Sequence, residues 1–179
     1  PFFAGSMTWA VVGVVTAAVA VSHRRVRPPR RSVEFPFSPR LDGHPVLRMR
    51  VRRIDRFLSR SAWADADRAS ATMLERADGA AATTAALRAA RARLELTDLQ
   101  GATDALELAW TDGSLDVGAT VRLLQGEVLA RSGQPEAALA SLDESRRMLP
   151  HHVGQQARVS LAAAGVLIDL NQFADANHQ

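Results

Sequence analysis

The chain has 179 residues, and its 22 basic side chains, all arginine, outnumber 19 acidic ones for a formal net charge of +3. It contains no Cys, Lys or Tyr. Disulfides, thiolate metal sites, thiol nucleophiles, Schiff bases and the P-loop lysine are thereby excluded. A basic isoelectric point follows arithmetically when every base is arginine and no Tyr or Cys titrates, and no RNP-like or zinc-finger spacing adds an argument for nucleic acid.

The first element expected in chain order is a membrane span. Phe2 to Val21 reads FFAGSMTWAVVGVVTAAVAV, with no ionisable side chain before His23. Twenty helical residues at ~1.5 Å rise cover ~30 Å, the thickness of the hydrocarbon core. Arg24, Arg25, Arg27, Arg30 and Arg31 follow at once. The positive-inside rule then places the rest of the chain in the cytoplasm and the N-terminus outside. A cleaved signal peptide would carry its charge ahead of the apolar run, and a buried soluble helix of this length would show a charged face.

Residues 23–45 contain Pro28, Pro29, Pro36, Pro39 and Pro45, which remove backbone donors and bias the preceding residues away from helix. An extended linker is expected there. Residues 1–60 hold 12 Arg against three acids, whereas residues 61–179 hold 10 Arg against 16. The basic block beside the span, extended by Arg48, Arg52, Arg53 and Arg56, is the expected contact with an anionic lipid surface.

From Val46 the pattern is helical. Leu47, Val51, Ile54 and Leu58 recur at i, i+4, i+7 and i+11, one amphipathic stripe, and no later segment alternates with period two. Helices are expected over 46–59, 63–77, 82–96, 99–111, 119–132, 135–149 and 154–170, with a further one opening at Phe173. Asp78-Gly79, Asp112-Gly113-Ser114, Gly133-Gln134-Pro135 and Pro150-His151-His152 punctuate the gaps. Trp63-Ala-Asp-Ala returns as Phe173-Ala-Asp-Ala. Between them Ala102 and Ala138 hold the same phase, so that Ala66, Ala102, Ala138 and Ala176 stand 36, 36 and 38 residues apart.

The third unit is the most regular, with Gly126 and Leu129 in its first helix, Gly133 at its turn, Ala138 and Leu142 in its second helix and Pro150 at its end. It resembles a tetratricopeptide (TPR) repeat, a helix-turn-helix unit of about 34 residues. Other αα-hairpin repeats fit the spacing as well. The unit departs from the TPR pattern at Arg122, where a large aromatic is usual, and at Gln125, where leucine is. Unit two carries Arg93 in the place of Leu129, and unit four Ala164 in the place of Gly126. The expected fold class is therefore all-α, a single transmembrane helix (1–22) followed by a TPR-like α-solenoid of about four helix pairs over 46–179. A solenoid needs a polar cap on its last unit, so this domain is expected to be cut short at its C-terminal end.

The TPR resemblance implies a concave groove lined by the first helices of successive pairs, which binds a partner protein. Outward positions on those helices are Arg48 with Asp55, Arg91 with Glu95, Glu127 with Arg131, and Arg158 with Asp169. Opposite charges on neighbouring turns are equally suited to pairing with one another. His151-His152, with Asp143 and Glu144 upstream, reads as a solvated turn, because adjacent loop residues rarely point at one ion and HExxH is absent. Asp65, Asp67, Asp98, Asp104, Asp112 and Asp116 read as helix caps, and Trp63 and Phe173 as packing residues. No catalytic residue, cofactor or metal is implied. The expected role is a bacterial inner-membrane adaptor or assembly scaffold, with an accessory subunit of a larger membrane complex as the alternative.

Overall fold

The computed structural model describes residues 44–111 and 113–177, with side chains as far as Leu170. The described residues are all-helical: α1 Pro45–Ser59, α2 Trp63–Leu74, α3 Gly79–Glu95, α4 Leu99–Trp110, α5 Leu115–Arg131, α6 Pro135–Met148 and α7 Val153–Asn177. Pro45 and Pro135 open α1 and α6, where the missing N–H would have had no intrahelical partner. Asp98 caps α4 by accepting from the Gly101 N–H, and Ser114 caps α5 through the Val117 N–H. A Cβ at Gly101 would lie 2.2 Å from Asp98 Oδ2, so a larger residue there would push the capping carboxylate aside.

The repeat is visible in the hairpin turns. Ser61, Thr97 and Gly133 all take left-handed backbone, with φ of 57°, 62° and 73°. Each turn closes with the same pair of bonds. Ala62, Asp98 and Gln134 donate N–H to Phe57, Arg93 and Leu129 carbonyls, and Ser61, Thr97 and Gly133 donate to Leu58, Leu94 and Ala130. This is the glycine-type helix stop, repeated every 36 residues and followed by α2, α4 and α6, which begin at Trp63, Leu99 and Pro135. Only the third turn has glycine. A β-branched residue at positive φ carries a steric penalty, so Thr97→Gly is expected to stabilise the fold by about 1 kcal/mol after the greater freedom of glycine in the unfolded chain is allowed for. A urea midpoint that stays put or falls would refute this.

The odd-numbered helices touch one another in order, α1 to α3, α3 to α5 and α5 to α7, while α2, α4 and α6 touch only their chain neighbours. The result is two layers, one continuous and one splayed. Ala66, Ala102 and Ala138, each fully buried near the start of an even helix, let the hairpins close. At Gly126 the approach is tighter still, with an added Cβ 2.7 Å from Leu142 Cγ. In the middle of the continuous layer, α3 and α5 are covered nearly all round. This explains their lack of a polar stripe: Thr83 through Ala90 are all buried, as are Val117 through Val121.

Polar groups lock the layers. Arg88 on α3, 1% exposed, grips Asp55 on α1 with both carboxylate oxygens at 2.7 and 3.3 Å, and also donates to the Thr84 carbonyl. At the far end, the buried Gln155 amide on α7 donates to the Ala119 carbonyl and to Ser145 Oγ, which itself donates to Ala119. The outward-facing role expected for Asp55 gives way to this clamp.

Two expectations are corrected. No helix among the described residues is long and apolar enough to cross a membrane. Most are 12 to 17 residues long. The 25-residue α7 is interrupted by Gln155, Gln156, Arg158, Ser160 and Asp169, whereas a span needs ~20 predominantly apolar residues. The transmembrane helix of the expected fold class, and with it the single-pass inner-membrane location, is therefore withdrawn, and the fold stands as all-α. Residues 1–22 and the linker up to 43, including Arg24, Arg25, Arg27, Arg30 and Arg31, lie outside the described residues. The second correction concerns the fourth pair: α7 runs unbroken through Phe173 to Asn177, so the described chain has three hairpins and one long seventh helix.

Candidate functional site

The residues expected to line a partner groove fall into two groups. Arg91 and Glu95 on α3 and Glu127 and Arg131 on α5 come together in one network. Arg91 pairs with Glu95 at 2.8 Å along its own helix and with Glu127 at 2.5 Å across to the next repeat. Arg131 reaches back to Glu95 at 3.3 Å and donates to the Leu94 carbonyl. Two cations and two anions, three of the four less than a quarter exposed, cancel one another. These side chains staple repeats together, continuing the Asp55–Arg88 clamp one helix further along. Arg158, half-buried, and Asp169, exposed, sit on α7 outside this network.

On α1, Arg48, Arg52, Arg53 and Arg56 are exposed, and Arg53 lies 5.6 Å from the Phe57 ring centroid. Arg93 faces the other way, binding Asp67 on α2 at 2.8 Å and the Gly101 carbonyl on α4 at 3.0 Å. It fills with charge the corner that Leu129 fills with an apolar side chain one repeat later. Of the aspartates read as caps, Asp98 acts as one; Asp65 pairs with Arg68 instead, and Asp104 accepts from Gln100. His152 caps α7, its Nδ1 accepting from the Gln155 N–H.

A different feature opens on the splayed side. Because α4 and α6 do not touch, a recess of about 520 Å³ lies between them, with α5 as its floor. Val128, Leu129, Ala137 and Ala140 give it an apolar lining, and Arg122, Glu144 and Arg147 charge its rim. Arg122 is held in place from three sides. Its guanidinium carbon stacks 4.7 Å from the Trp110 ring centroid, Nε stands 3.1 Å from Glu144 Oε2, and Nη1 donates to Gln125 Oε1 at 3.1 Å.

Arg122 and Gln125 are the two positions at which the third unit departs from the TPR pattern. One repeat earlier the same places are Ala86 and Ala89, both fully buried. The recess thus occurs where packing residues are replaced by polar ones, a change readable in the sequence; that Trp110, Ser141 and Arg147 join them was not readable. The Ser141 hydroxyl donates to the Arg122 carbonyl and ties α6 to the floor.

Comparison with protein-family models, curated proteins and solved structures finds no match for this chain.

Proposed function

We propose that this chain is a protein-interaction scaffold built from TPR-like helix pairs, and that the recess between α4 and α6 receives a segment of a partner protein. The observation that carries this reading is the recess itself, whose apolar floor and charged rim lie on the splayed layer. The groove charges of the continuous layer, by contrast, are consumed by one another. A photo-activatable amino acid at Ala140, an exposed recess position, is expected to give a discrete adduct with one protein in cells, while the same group at exposed Arg68 on α2 gives none.

The outer face of α7 favours a second reading, a stoichiometric subunit of a larger assembly. Leu161 is 73% and Ile168 56% exposed, with Ala164 and Gly165 exposed between them at helical spacing. An adduct from Leu161 in place of Ala140 would support the subunit. Silence at both positions would remove both readings.

A further inference from the structure

Resting on the scaffold reading, the geometry points to a chemistry for the partner segment: we infer that the recess takes a side-chain carboxylate flanked by aliphatic residues, from within a partner's chain. The charge count of the rim gives the sign. Glu144 is already paired with Arg122, so the uncompensated charge in the recess is that of Arg147, which has no hydrogen-bond or ion-pair partner among the described residues. Of the neutral groups, Gln125 leans the same way: it spends its carbonyl oxygen on Arg122, which leaves the amide nitrogen to donate. The hydroxyls of Thr103 and Ser141 are spent as donors on the Leu99 and Arg122 carbonyls and offer only acceptor lone pairs, so the sign rests on Arg147 and Gln125.

An incoming carboxylate would therefore meet a guanidinium whose planar fork suits two parallel hydrogen bonds, beside an amide donor. A basic segment would meet the repulsion of Arg147, the one acid of the lining being already engaged by Arg122. The aliphatic flanks follow from Val128, Leu129, Ala137 and Ala140, which offer apolar contact with no polar group to satisfy. Trp110 and Glu144 fix the Arg122 side of the recess before any ligand arrives.

The test is selection of random heptapeptides displayed with blocked C-termini, so that only side-chain carboxylates are offered, against the intact chain. Selected sequences are expected to be enriched in Asp or Glu beside Leu, Ile or Val. A synthetic peptide of that consensus is expected to bind on the order of tenfold more weakly to Arg147→Glu and to Ala140→Trp, and more weakly as sodium chloride rises. Both positions are exposed, and an unchanged helical circular dichroism spectrum confirms that each variant folds. If the selected peptides lack acidic residues, and Ala140→Trp abolishes binding while Arg147→Glu does not, the carboxylate inference fails and the scaffold reading stands. If no peptide is selected, or those selected bind Ala140→Trp unchanged, the recess is not a docking site and both fall.

Discussion

Ala138→Leu is expected to destabilise the fold by about 1 to 3 kcal/mol, the usual cost of forcing extra methylenes into a packed site. Ala138 is fully buried at the start of α6, and its carbonyl stands 3.2 Å from where a Cβ on Gly126 would be. Leu142, one turn on, already occupies the other side of that gap, 2.7 Å from the same point. The added isopropyl group can escape only by prising α6 from α5, the most extensive hairpin contact among the described residues. For a domain whose whole stability is about 5 to 15 kcal/mol, the effect should be plain in a urea titration. Gly126→Ala probes the same contact from the facing helix and should lower the midpoint too. A midpoint unmoved by either variant would mean that α5 and α6 do not meet in this register.

The hairpins were legible because they obey a strict period. Alanines at 66, 102 and 138 are fully buried in each hairpin, and even-helix starts at 63, 99 and 135 coincide with the expected ones, since those turns carry a fixed stop geometry. The seventh helix was misread for a physical reason. Phe173-Ala-Asp-Ala copies the opening of α2, but neither glycine nor proline stands before it, and Asn171 and Gln172 stay within the helix, so α7 continues. The groove charges were legible as opposite charges on neighbouring turns of the first helices. Whether they meet a partner or each other depends on helix register, which the sequence does not display; in the fold, 36 residues separate Arg91 from Glu127 and Glu95 from Arg131, one repeat, and that stacks them face to face. The recess announced itself only as a break in pattern at Arg122 and Gln125, since its walls come from helices that are distant in sequence.

Asp55→Ala is expected to cost about 2 to 4 kcal/mol, a value somewhat below that for breaking a fully buried pair, because Asp55 is 35% exposed while Arg88 is 1% exposed. The loss arises from what remains: a guanidinium inside the α1–α3 contact, stripped of both carboxylate bonds and still bonded to the Thr84 carbonyl. Solvent that reaches the vacated carboxylate site would recover part of it. Arg88→Met removes the charge along with the need for a counter-ion, and methionine's unbranched chain follows much of the arginine stem. The double variant Asp55→Ala/Arg88→Met should therefore be more stable than Asp55→Ala alone, with a coupling of 1 kcal/mol or more in a double-mutant cycle. Additive effects would show that the two side chains do not depend on each other. The sign of the coupling also bears on the role of the whole series of charges along the odd helices. Pairs that cost more to break than to replace set which repeat stacks on which, and Arg91–Glu127 and Arg131–Glu95, more exposed than Arg88, would do the same at lower energetic cost. Charge reversal at Glu127 alone should then loosen α5 from α3 while leaving any peptide binding at the recess unchanged, because the recess residues Arg122, Gln125 and Leu129 lie on the opposite side of α5 from Glu127 and Arg131.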